Sequence, residues 1–129
     1  MAKKSDAQKS AKGLRILVVE DEMMVLLMIE DMLADLGCEA AASAATVQQA
    51  LELIATEPFD GALLDMNLNG ETSEAVAKAL VARGTPFIFC TGGDMLDAAP
   101  EFRDHPCLRK PFSYEDLAAK LRELHLQPP

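Results

Sequence analysis

Short apolar runs alternate along this chain with longer segments of helical spacing, and each apolar run stops at a polar or charged residue. Leu14–Val19 ends at Glu20-Asp21, Gly61–Leu64 at Asp65, Pro86–Cys90 at Thr91, and the short run from Cys107 at Lys110-Pro111. Glu39–Ser43 adds a weaker strand. Near-continuous apolar runs are what strands covered on both faces require, and strands alternating with helices imply parallel pairing through right-handed crossovers. The helical segments are Glu22–Leu36, stopped by Gly37; Thr46–Ala55, stopped before Pro58; and Glu71–Ala82, followed by Gly84. A last helix opens at Ser113, with Asp116 three residues on as a capping-box signal and Leu117, Leu121 and Leu124 on its buried face. Asn69-Gly70 marks a turn, and Asp94–Phe102 is ambiguous because Pro100 interrupts its helical pattern. The expectation is an α/β fold: a doubly wound, five-stranded parallel sheet with helices on both faces.

In such a sheet the carboxyl ends of the strands share one edge, where ligands bind. Glu20, Asp21, Asp65, Thr91 and Lys110 should therefore converge. Carboxylates brought together repel, and a hard cation such as Mg²⁺ relieves them. A hydroxyl and an ammonium opposite them suit an incoming phosphoryl group. Each residue also has a plainer reading: Asp65 as a loop cap, Glu20 and Asp21 as acids at a helix N-terminus, Thr91 as a β-former, Lys110 as a surface charge. Glu22 reads as a first-turn acid of the first helix.

Four segments, Ile16–Glu22, Ala62–Asn67, Phe89–Gly92 and Leu108–Phe112, taken in order, resemble the receiver domain of two-component response regulators from about Leu14 to Leu124. The resemblance implies the flavodoxin-like strand order 2-1-3-4-5. It implies Asp65 as phosphoacceptor, and Mg²⁺ held by Glu20, Asp21, Asp65 and the backbone carbonyl of Asn67, whose side chain is then less constrained. Thr91 and Lys110 would each meet a phosphoryl oxygen, and the Lys110-Pro111 bond would be cis. The implied activity is acceptance of a phosphoryl group from a sensor histidine kinase, followed by signalling through protein contact or by action as a phosphate sink or relay, with a histidine phosphotransfer protein or a downstream protein as further partners. Phosphorylation and dephosphorylation would be self-catalysed, with no enzymatic turnover of another substrate. Pro86–Gly93 partly matches a subfamily signature, Phe-Ala-Thr-Gly-apolar-Tyr, with Cys90, Gly93 and Asp94 departing from it. The aromatic residue usual three positions before the lysine is Cys107 here, so the ordinary coupling of the threonine to rotation of that ring cannot operate.

Composition narrows the alternatives. Half of the 129 residues are hydrophobic, enough for one core, and no apolar run reaches membrane-spanning length. The formal charge is −9, and residues 1–13 carry four lysines against one aspartate, so the remainder stands at −12. That balance argues against nucleic acid as a partner, and neither a membrane nor a secretory route is indicated. Cys38, Cys90 and Cys107 follow no metal or disulfide spacing, as expected of a cytoplasmic protein. Residues 1–13 read as a flexible basic tail, 14–126 as one domain and 127–129 as a short tail, with no output module expected after Leu124. A phosphatase using an aspartyl phosphate would want a second acid where Asn67 stands. A nucleotide- or flavin-binding domain would want a Gly-rich loop where Glu20-Asp21-Glu22 stands. Core packing is expected for Val25, Met28, Ile29, Met32 and Leu36, while Met23, Leu27 and Phe112 are candidates for partner contact. His105 and His125 are expected at the surface or in capping roles.

Overall fold

The computed structural model describes residues 13–93 and 98–125. In chain order the elements are β1 (Arg15–Val19), α1 (Met23–Asp35), β2 (Glu39–Ala44), α2 (Val47–Thr56), β3 (Gly61–Asp65), β4 (Asn67–Leu68), β5 (Glu71–Thr72), α3 (Glu74–Arg83), β6 (Phe87–Thr91), a 3₁₀ turn (Pro100–Phe102), β7 (Cys107–Arg109) and α4 (Tyr114–His125). The five-stranded sheet runs β2-β1-β3-β6-β7, every pairing parallel. Counting those five strands alone gives the expected order 2-1-3-4-5.

Strand periodicity sorts the core into two layers. Ile16, Val18, Leu63, Ile88 and Cys90 face Ile29 and Leu33 of α1 and Leu117 and Leu121 of α4. Their chain neighbours Leu17, Val19, Leu64, Phe87 and Phe89 face α2 and α3 through Ala50, Ile54, Val76 and Leu80. Both faces of each central strand are thus apolar, which is why the strands read as unbroken runs.

The helix ends have local causes. Thr46 caps α2, its hydroxyl accepting from the Gln49 amide at 3.1 Å, while Gln49 returns a bond from the Ala45 amide at 2.9 Å. Ser113 and Asp116 form the expected reciprocal box, at 3.0 and 3.2 Å. Gly84 adopts a left-handed conformation (φ 72°) that ends α3.

Several expectations are corrected. The segment from Glu71 does not open a helix. Asn67–Leu68 and Glu71–Thr72 pair as a small antiparallel hairpin, with Asn69 (φ 54°) and Gly70 (φ 85°) both left-handed, as its tightest two-residue turn demands. The helix starts only at Glu74. Glu22 stands at the N-cap of α1, ahead of the first turn, and its side chain makes no capping bond. Met28 is exposed rather than core, alongside Met23, Met24 and Leu27. Phe112 is buried against the α1–α4 layer and offers no free surface. His105 is half-buried: its ring stacks on Phe87 at 4.0 Å, meets Phe89 edge-on at 5.4 Å, and bonds the Phe87 carbonyl through Nε2 at 2.8 Å. Of the ambiguous Asp94–Phe102 segment, the described part ends in the 3₁₀ turn, and residues 94–97 lie outside the described residues. The expected tails lie outside them as well, except Gly13, whose amide donates to the Gly37 carbonyl at 2.7 Å. The side chain of His125 is likewise outside them.

Two outcomes follow. Thr46→Ala removes the cap of α2 and should cost about 1 kcal/mol in urea unfolding. Burial lowers the His105 pKa below its ordinary 6.5, with the Phe87 carbonyl opposing. A depressed folded value means that the unfolded chain takes up the proton first. The contribution of His105 is therefore whole above pH 6.5 and is lost as pH falls from there through the lower folded value. The urea midpoint of His105→Phe should lack this component of the acid decline, so the gap between variant and parent should change on that side of the titration.

Candidate functional site

Register builds the site. Val19 pairs with Leu64, Asp65 with Cys90, and Thr91 with Arg109, so β1, β3, β6 and β7 end along one line. The next residues out, Glu20 and Lys110, join Asp65 and Thr91 on that edge. The Lys110 amide donates to the Thr91 carbonyl at 2.7 Å and the Glu20 amide to the Ala44 carbonyl at 2.9 Å, which extends the ladder one residue past the strands. The Lys110-Pro111 peptide is cis, as the resemblance implies.

The side chains of Glu20, Asp21, Asp65 and Lys110 come together here, with Thr91 at the neighbouring strand end. The Lys110 ammonium bridges Glu20 Oε1 at 2.8 Å and Asp65 Oδ2 at 3.1 Å. Glu20 is only 2% exposed, Asp65 9% and Thr91 7%. One oxygen each from Glu20, Asp21 and Asp65 lies within 4.8 Å of the others. Opposite oxygens on an octahedral Mg²⁺ stand about 4.2 Å apart, twice the usual Mg–O distance. The three carboxylates are hard oxygen donors close enough to one another that a small dication would need to draw them together by no more than a few tenths of an ångström.

The electrostatics follow from burial. The Glu20 pKa is raised by loss of hydration and by the Asp65 charge, against the pull of Lys110 and of the Glu22 amide, which donates to Glu20 Oε2 at 3.1 Å. Loss of hydration would lower the Lys110 pKa, but its carboxylate partners outweigh that and raise it. Lys110 is thus a fixed cation between two acids. Three carboxylates against one ammonium leave an excess of negative charge, the demand a divalent ion would meet. Burial also pushes the Cys90 thiol, on the neighbouring strand, up to about 12, so it stays neutral.

Three features were not evident from the sequence. The Asn69 amide donates to Asp21 Oδ2 at 2.9 Å, so the hairpin turn holds the most exposed acid of the cluster in place. The Asn67 side chain, expected to be less constrained than its carbonyl, accepts from the Gly70 amide at 2.8 Å and braces the same turn. The Thr91 hydroxyl accepts from the Gly93 amide at 2.9 Å and so already has a partner. Strands of two residues are too short for a periodic signal, and only the Asn-Gly pair marked the hairpin.

Known structures share this fold. The chain is 41% identical to SdrG from Sphingomonas melonis Fr1, covering 88% of this chain and 97% of that one, with a TM-score of 0.78. The receiver domain of the Erythrobacter litoralis response regulator PhyR matches with a TM-score of 0.80 at 25% identity, over 92% of this chain and 95% of that one. The receiver domain of the sensor histidine kinase PA1611 from Pseudomonas aeruginosa PAO1, solved with a magnesium ion in its active-site cleft, matches at 26% identity and a TM-score of 0.72, over 88% and 98%. No curated protein matches the sequence. The profile of the response regulator receiver domain matches residues 16–122, and with the strand order and the acidic edge described above, the chain belongs to that family.

Proposed function

We propose that the chain accepts a phosphoryl group on Asp65 from the phosphohistidine of a sensor histidine kinase, with Mg²⁺ bound, and signals through protein contact. The observation that carries this is the convergence of Glu20, Asp21 and Asp65 around a lysine that bridges two of them, with a buried threonine at the next strand end. The P–N bond of the donor breaks as a P–O bond forms at the Asp65 carboxylate, and the imidazole leaves with the electron pair. Glu20, Asp21, Asp65 and the Asn67 carbonyl would hold the ion, whose chemistry is to draw negative charge from the phosphoryl oxygens. Lys110 supplies a second fixed positive charge, already aimed at Asp65. Thr91 would turn its hydroxyl from the Gly93 amide to a phosphoryl oxygen, altering the chain that follows.

Two further points support the reading. The exposed face of α1, Met23, Met24, Leu27 and Met28, begins beside Glu20-Asp21 and gives a partner helix adaptable apolar surface. Cys107, where the family usually has its switch ring, lies opposite Phe89 in the sheet, while the ring of His105 packs edge-on against the same Phe89. A change at Thr91 can therefore reach an aromatic group through Phe89 without a ring at position 107. The phosphatase alternative still lacks its second acid at Asn67, and the nucleotide-binding alternative meets three carboxylates where a phosphate would sit.

Incubation with Mg²⁺ and acetyl phosphate should add the mass of one phosphoryl group to the parent. Asp65→Asn should add none while its far-UV spectrum stays unchanged, and equal uptake by the variant would remove Asp65 from the role. Millimolar Mg²⁺ should raise the parent's melting temperature, because an ion bound only by the folded state stabilises it by linkage. Asp21→Asn should lose most of that rise, and a parent melt indifferent to Mg²⁺ would sink the metal assignment.

A further inference from the structure

The chain holds only two asparagines, Asn67 and Asn69, and both stand in the β4–β5 hairpin. Asn69 is followed by Gly70, and both residues are exposed at the turn. Asparagine is a chemically labile residue, and a glycine after it leaves its side chain open to attack by the next backbone nitrogen. Apart from its chain neighbours, nothing among the described residues lies within 4 Å of where a Cβ on Gly70 would sit, so that approach is uncrowded. Asn67 differs, because it is followed by Leu68, a bulky side chain locked in the core.

The reaction needs only water. The Gly70 nitrogen loses its proton and attacks the side-chain carbonyl carbon of Asn69. A C–N bond closes a five-membered imide, the bond to the side-chain nitrogen breaks, and ammonia leaves with the proton. Water then opens the imide at one of its two carbonyls, giving aspartate or isoaspartate. Nothing is oxidised or reduced.

The fold holds this reaction back at its nucleophile. The Gly70 amide donates to Asn67 Oδ1 at 2.8 Å, and an amide so bonded gives up its proton less readily and presents its nitrogen less freely. Ring closure must also open a turn that holds Asn69 at φ 54° and Gly70 at φ 85°. The residue at risk is the one whose amide donates to Asp21 Oδ2 at 2.9 Å. Either product sets a new carboxylate on that residue, where it repels Asp21, and isoaspartate also lengthens the backbone of the turn.

We propose that Asn69 is a deamidation site guarded by the side chain of Asn67, and that its conversion releases Asp21 from the hairpin. The site does not rest on the receiver reading, and its test needs neither Mg²⁺ nor a phosphodonor.

The full chain is kept for days at mildly alkaline pH, folded or in urea. Deamidation is read as a gain of one mass unit and placed by fragmentation. The parent should convert at position 69, and several times faster unfolded than folded. Asn67→Ala should speed the folded chain by about fivefold, the worth of one such hydrogen bond, while its far-UV spectrum matches the parent's. Asn67→Asp keeps an acceptor for the Gly70 amide and should stay near the parent rate. Asn69→Gly suits the left-handed turn and carries no side-chain amide, so it should gain no mass. In the deamidated chain, separated by its added charge, the amide at position 69 should exchange with deuterium faster than in the parent. Conversion at Asn67, equal rates in folded and unfolded parent, a rate unmoved by Asn67→Ala, or unaltered exchange at position 69 would each overturn the proposal.

Discussion

Parallel hydrogen bonding in register across β1, β3, β6 and β7 is the constraint on which the rest of the molecule depends. A one-residue slip in any of these pairings would reverse the faces of that strand, burying what should be exposed and sending its terminal side chain to the wrong side of the edge. The apolar layers on both faces of the sheet prevent that slip. Leu17 and Leu64 cannot exchange places with Val18 and Leu63 without breaking contact with all the helices at once. The hydrophobic core thereby aligns the functional edge. Packing far from Asp65 decides that Asp65, Glu20, Thr91 and Lys110 meet.

That alignment brings together groups that would not otherwise be stable at close range. Buried Glu20 and Asp65 tolerate each other because Lys110 stands between them, and Lys110 keeps its charge because both acids face it. Removing one member of such a cluster leaves the others uncompensated, which is costlier than the pair was worth. The ammonium and the excess of carboxylate over ammonium belong to one design. One cation is fixed in place, and the remaining negative charge leaves room for a second.

The legible parts of the sequence were those with strong local signals. Unbroken apolar runs gave β1, β3 and β6 nearly to the residue, because strands buried on both faces admit no polar interruption. The Ser113–Asp116 capping signal located the start of α4. The site residues were legible because polar side chains at the ends of such runs have few other places to go. Elsewhere the signal was weak or misleading. α1 is apolar nearly all round, so periodicity could not say that Met28 faces outward while Ile29 faces in. The burial of Phe112 depends on its packing in the layer formed by α1 and α4, and the stacking of His105 on Phe87 depends on a pairing between distant segments. Neither leaves a trace in local sequence.

The hairpin of β4 and β5 carries a consequence for how this chain can vary. Exposed turns between elements generally accept inserted residues at little cost, because nothing beyond the turn relies on their length. Here the Asn69 amide reaches back to Asp21, the Asn67 side chain braces Gly70, and the Ser73 amide returns to Met66. The turn works as a spacer between the ends of β1 and β3. An extra residue at its tip would carry the Asn69 amide out of line with Asp21 while leaving the core untouched. Among the exposed stretches of the molecule, this one is therefore intolerant of length change, and a chain altered there would remain folded with one acid of its cluster no longer held.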